Sequence, residues 1–184
     1  MKRFAPLALL LLTSACSEAP RPADQTPAAE TAAPEAATTR VALALDQEGL
    51  RAVNVESGST VLVAFDQPEA QTVALVSRAL GDDPAEIGVN SDCGAGPLNF
   101  ASWDDGLTLW SHEGRFVGWA VNREGPTTMG GIGVGSSRAQ IDESLVAEFS
   151  HGSMGKQFKS GNLHGVLLDG RVAHMWAGVS CNFG

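Results

Sequence analysis

The sequence predicts an α+β domain built from two tandem helix-plus-antiparallel-sheet repeats and carried on a disordered tether. Three observations point there. Short alternating apolar runs separated by turn residues fill most of the chain after residue 40. Two segments carry helix start signals, at Asp66 and at Ser137. And "GLTLWSHEGRFVGWA" is echoed by "GNLHGVLLDGRVAHMWA", each with a Gly-Arg pair after its turn, at Arg115 and Arg171. The sub-repeats fall at about 60–122 and 130–178, within a globular region of 41–184.

Residues 1–15 come first. A basic start (Lys2, Arg3), an apolar run from Phe4 to Leu12 and the small residues Thr13, Ser14 and Ala15 have the three-part layout of a secretory signal. The run falls well short of the roughly twenty residues that cross a bilayer. Residues 16–40, "CSEAPRPADQTPAAETAAPEAATTR", hold no aromatic and no large aliphatic side chain. Such a stretch buries too little apolar surface to offset its ordering entropy, and Pro20, Pro22, Pro27 and Pro34 favour extended backbone. We read it as a tether.

"LTSAC" resembles the lipobox of bacterial lipoproteins, although Thr13 stands where that family prefers Leu and Leu12 is one place further back. The resemblance implies cleavage before Cys16, acylation of Cys16 and attachment to a membrane through its lipid. Ser17 in place of Asp resembles the signal for outer-membrane sorting, which implies an outer-membrane site facing the periplasm. Cleavage after the small pair Thr13 and Ala15 is the alternative, and it would release a soluble protein.

Within the domain, "VALALDQEGLRAV" gives two strands about a turn at Asp46 to Gly49, and "STVLVAF" gives a third. "DQPEAQTVALVSRALG" reads as a helix capped by Asp66, with Pro68 in its first turn and Gly81 closing it. Ala70, Val73, Val76 and Leu80 share its apolar face. Residues 82–97 read as a loop, followed by strands at "LNFASW", "GLTLWSH" and "RFVGWAV". "SSRAQIDESLV" opens a second helix with the capping-box pair Ser137 and Gln140. "GNLHGVLL" and "RVAHMWAG" form a hairpin about Asp169-Gly170.

"GIGVGSSRAQIDESL" resembles the start of a repeat in β-lactamase-inhibitor-protein-like domains, and the likeness covers about 130–177 and, more loosely, 62–122. The second short helix per repeat usual in that family is not seen here. Members of that wider fold mostly bind proteins, so the resemblance implies a non-catalytic binding or envelope-assembly module with an envelope protein as partner.

Composition and residue counts bound the chemistry. The net charge is −9, and loss of Lys2 and Arg3 with the signal takes it to −11. With no basic cluster, that charge disfavours nucleic acid. Once Cys16 is set aside, Cys93 and Cys181 are the two cysteines left to the domain, and an exported chain permits their pairing; two buried thiols are the alternative.

Candidate reactive groups are sparse. No catalytic set, cofactor motif or metal motif emerges: HExxH is absent, and so are two close Cys/His pairs. "GGIGVGSS" lacks the Lys-Ser/Thr ending of a phosphate loop, and "HGSMG" is not a nucleophile elbow. A small periplasmic hydrolase using His112, His164 or His174 is the second functional reading. Two-residue turns put His164 opposite Met175 and His174 opposite Gly165, on opposite faces of their hairpin. The same register puts Trp110, Trp119 and Val117 on one face. That face is either core beneath a helix or an aromatic surface for a glycan or peptide.

Overall fold

The computed structural model describes residues 40–181, all within the unit Thr38–Gly184. Residues 1–39, with the expected signal sequence, Cys16 and all but the last residue of the expected tether, lie outside the described residues. No helix among the described residues is long and apolar enough to cross a membrane.

Strands β1 (Val41–Asp46), β2 (Gly49–Asn54) and β3 (Thr60–Ala64) form a three-stranded antiparallel sheet in that order. Helix α1 (Glu69–Leu80) follows, then β4 (Glu86–Asn90), β5 (Leu98–Ser102), β6 (Leu107–His112) and β7 (Arg115–Val121). Helix α2 (Arg138–Ser144) leads to β8 (Glu148–Gly152), β9 (Gly155–Ser160), β10 (Leu163–Leu168) and β11 (Arg171–Gly178). These last eight strands make one sheet, in the order β4-β5-β6-β7-β11-β10-β9-β8.

That architecture corrects the expected α+β fold of two helix-plus-sheet repeats. The protein is mostly β, with eleven strands among the described residues against helices of 12 and 7 residues. The two four-stranded meanders do not close as separate sheets, because β7 pairs with β11 in antiparallel register, Gly118 opposite Gly178. Glycine permits this seam. A Cβ on Gly118 would collide with the main-chain oxygen of Val179, and one on Gly178, whose φ is +72°, with that of Val117. The β1–β3 sheet belongs to neither meander.

One face of the large sheet packs against the helices and the small sheet. Leu45 and Leu50 from the first hairpin, Val76 of α1 and Ile141 of α2 meet Leu107, Leu109, Phe116, Trp119, Phe158 and Met175, each at most 2% exposed. Side chains this fully buried contribute roughly 1.5–3 kcal/mol apiece. The Trp119 Nε1–H donates to the Asp46 main-chain oxygen at 2.9 Å, which ties the first hairpin to the centre of the large sheet.

The helix ends differ from their sequence signals in one place. Asp66 does not cap α1: it sits at φ +72°, its N–H donates to the Phe116 oxygen, and Pro68 occupies the N-cap position with no side-chain cap. The buried face is consequently Thr72 and Val76, with Val73 and Leu80 alongside, and Ala70 is exposed. Gly81 closes the helix in the left-handed conformation, and Ser137 with Gln140 forms the capping box of α2. Strand β4 lies in the stretch expected as a loop. Strands β8 and β9 are polar and announce themselves only through the inward Phe149 and Phe158.

Candidate functional site

The other face of the large sheet is the candidate site. It lies opposite the helix-covered core, and it carries Phe100, Trp110, Ala120, Trp176, His164 and His174. Cross-strand pairing brings these together: Phe100 with Trp110, Ala120 with Trp176, and His164 with Trp176.

Two β-bulges decide which side chains arrive there. One lies between Trp110 and Ser111 against β7, the other between Val166 and Leu167 against β11. A bulge opposes two residues to one, so everything beyond it changes face. Trp110 therefore lies opposite Gly118 and Trp119 opposite Leu109, on opposite faces of the sheet. The expected shared face of Trp110 and Trp119 is corrected accordingly. Trp119 is core, while Val117 and Trp110 pack together with Leu98, Phe100 and the disulfide. The second bulge acts on the histidines. His164 lies opposite Trp176 and His174 opposite Val166, so the two share the open face instead of dividing between faces.

The Cys93–Cys181 disulfide is present, with Cα atoms 5.0 Å apart across 88 residues of sequence. It fixes the loop ahead of β5 to the residue three places beyond β11, at the rim of this face. Trp110 is 8% exposed, and its indole N–H is buried without a hydrogen-bond partner, an arrangement that costs about 1–3 kcal/mol. A cavity of about 180 Å³ beside it is lined by Thr108, Trp110, Ala120, His174 and Cys181.

The His164 ring stacks on Trp176, centroids 5.6 Å apart and planes 12° from parallel. Burial, and secondarily the Lys159 ammonium on the neighbouring strand, hold its pKa below the ordinary 6.5. At neutral pH it is an uncharged aromatic ring with one donor and one acceptor nitrogen. His174 is exposed on β11, opposite Val166. His112 sits at the β6–β7 tip opposite Arg115, where its Nδ1 lies 3.4 Å from the Pro97 oxygen, and His151 is exposed on β8. The structure gathers His164 and His174 but leaves His112 and His151 apart from them. Sequence reasoning missed the His164–Trp176 stack, because the bulge that creates it has no signature in "HGVLLDGRVAH".

The glycine-rich "GGIGVGSS" spends its main-chain donors internally. Gly131, Ile132, Gly133, Gly135, Ser136 and Ser137 all donate within the protein, to Thr128, Ser136, Val172, Gly133 and Gln140. It is a loop entering a capped helix, and those six N–H groups are not directed at a ligand.

Comparison of the chain with family models, with curated proteins and with solved structures gives no match.

Proposed function

We propose that the protein is a lipid-anchored envelope lipoprotein, attached through Cys16 to the outer membrane, whose domain works as a non-catalytic binding or assembly module facing the periplasm. The observation that carries the binding reading is the open sheet face, where the half-buried Phe100, Trp176 and His164 present aromatic surface beside polar neighbours. Rigid aromatic area of this kind, with a hydrogen-bonding edge, is what protein interfaces use as anchors. The lipobox-like "LTSAC" supports the location. The disulfide supports an oxidising compartment. The resemblance of 130–177 to protein-binding domains points to the same partner class. The hydrolase reading has less support, since His164 stacks on an indole and His112 meets a main-chain oxygen.

Cross-linking in intact cells followed by mass identification tests the partner class, and mass spectrometry of the mature N-terminus tests the anchor. A protein captured by the wild type and lost with Trp176→Ala, at unchanged thermal melt, is the expected result. An unmodified N-terminus at Cys16 would remove the anchor. Capture that is indifferent to Trp176→Ala would remove the open face.

A further inference from the structure

We propose that β4 is a self-association edge, at which two copies of this chain pair antiparallel about a two-fold axis through Gly88 and extend the eight-stranded sheet across both molecules. Among the described residues, strand β4 ends the large sheet and pairs on one side alone, with β5. Its sequence is Glu-Ile-Gly-Val-Asn, with Ile87 69% and Val89 61% exposed. An edge that carries apolar side chains and neither lysine nor proline is a template for strand addition.

The β8 and β1 edges are guarded, whereas β3, with Val61 66% exposed, is also apolar and is set apart only by the cleft it shares with α1. At β8, the opposite end of the sheet, Glu148, Ser150 and His151 are polar or charged, and the Arg138 guanidinium lies 3.6 Å over the Phe149 ring. Strand β3 adjoins α1 across a cleft lined by Val61, Val63, Gln71 and Leu75. Strand β1 receives the 127–128 segment, whose Thr127 oxygen accepts from the Leu45 N–H at 2.8 Å.

Register identifies the occupant. The Ser102 oxygen accepts from the Ala85 N–H, so Ser102 directs its main chain toward β4. By alternation Phe100 and Leu98 do the same. Their partners Glu86, Gly88 and Asn90 therefore spend their main-chain groups inward, and those of Ile87 and Val89 point out from the edge. A two-fold axis at Gly88 sets each copy's Ile87 against the other's Val89, with both main-chain bonds formed at each pair. It also sets Glu86 against Asn90, a carboxylate facing an amide donor. Parallel pairing would oppose Glu86 to itself. The strand is thus complementary to its own reverse, and a second copy fits it. A five-residue strand pair is smaller than the roughly 1,200 Å² lower bound of stable interfaces, so the association is weak and depends on concentration. The proposal does not depend on what the open face binds.

The test is sedimentation of the full chain carrying Cys16→Ser, over roughly 1 µM to 1 mM, the range suited to an interface of this size. The expected result is a monomer–dimer equilibrium, with amide exchange at Ile87 and Val89 slowing as concentration rises. Combining Ile87→Lys with Val89→Lys opposes like charges at both pairs and should raise the dissociation constant at least tenfold. Combining Ile87→Lys with Val89→Glu opposes unlike charges and should retain association. A wild type that stays monomeric throughout overturns the proposal, even if the edge captures some other protein. So does a dimer that survives the double-lysine change, or equal loss in both charge variants. The exchange measurement on the wild type stands whether or not the variants fold.

Discussion

The Arg115 guanidinium donates from Nη1 to the main-chain oxygen of Asp66 at 3.0 Å, across 49 residues of sequence. Arg171 makes the corresponding bond to Gly135 at 2.8 Å. Around each arginine the main chain follows one pattern. The Phe116 N–H donates to the Gln67 oxygen and the Glu69 N–H to the Gly114 oxygen; the Val172 N–H donates to the Ser136 oxygen and the Arg138 N–H to the Gly170 oxygen. Each hairpin tip thereby docks on the residues that lead into a helix, so the arginine decides where the helix starts relative to the sheet.

Removing either arginine should loosen its junction. A hydrogen bond from a charged donor is worth about 1.5–3 kcal/mol, and exposure of both side chains moves the expectation below that range. Arg115→Ala and Arg171→Ala should each lower unfolding stability by about 1 kcal/mol, read as a shift in the urea midpoint at unchanged slope. Lysine should not rescue either, since an ammonium lacks the planar fork that reaches this carbonyl while lying along the tip.

The seam between the meanders makes a sharper prediction. Gly118→Ala forces a methyl group into the Val179 main-chain oxygen, which cannot move without parting β7 from β11. Overpacking of this kind costs about 1–3 kcal/mol, and backbone as the obstacle puts Gly118 at the upper end. Gly94→Ala, at a position with nothing within contact distance of the added methyl, should change the melt little. Equal melting temperatures for the two variants would show that the seam does not need glycine.

These two features also show what the residues made legible. The hairpins about Glu113-Gly114 and Asp169-Gly170 were readable because their turn chemistry and alternation are local; both turns do adopt left-handed backbone at each central residue. So were the Gly81 stop, the Ser137–Gln140 cap and the pairing of Cys93 with Cys181. Fusion of the two meanders was not, because it rests on Gly118 meeting Gly178 from 60 residues away. Asp66 looked like a cap, but the Phe116 oxygen claims its N–H and turns its backbone left-handed. Strand β4 looked like loop because its apolar residues alternate with glycine and cover no core. In the candidate site, Val117 beside Trp110 was legible, whereas Trp119 and His174 changed faces at bulges that leave no mark in the sequence.

Closing 88 residues, the disulfide should contribute about 4–5 kcal/mol in the chain-entropy account of cross-links. Replacing Cys93 and Cys181 together by serine should lower stability by up to that amount and release the rim of the open face near Trp110. Thiol titration of the denatured, oxidised domain should find neither cysteine reactive. Two reactive thiols there would contradict the bridge.

His164 ties stability to pH, and its sign follows from its environment. Burial first, and Lys159 second, lower its pKa in the folded protein below 6.5, so the unfolded chain takes up the proton at higher pH than the folded one does. Above about pH 6.5 the ring is neutral in both states and its stacking on Trp176 is fully retained. As the pH falls from there toward the folded pKa, the unfolded state gains protons first and stability is lost; below the folded pKa the loss levels off. The melting temperature should therefore drop as the pH falls below about 7 toward the folded pKa, and His164→Phe should flatten that drop while keeping an aromatic partner for Trp176. In an NMR titration the His164 ring should show a midpoint below 6.5, moved upward by Lys159→Met but not fully restored, because burial persists. A midpoint at or above 6.5, or a pH dependence untouched by His164→Phe, would mean that the stacked ring is not the group that senses pH.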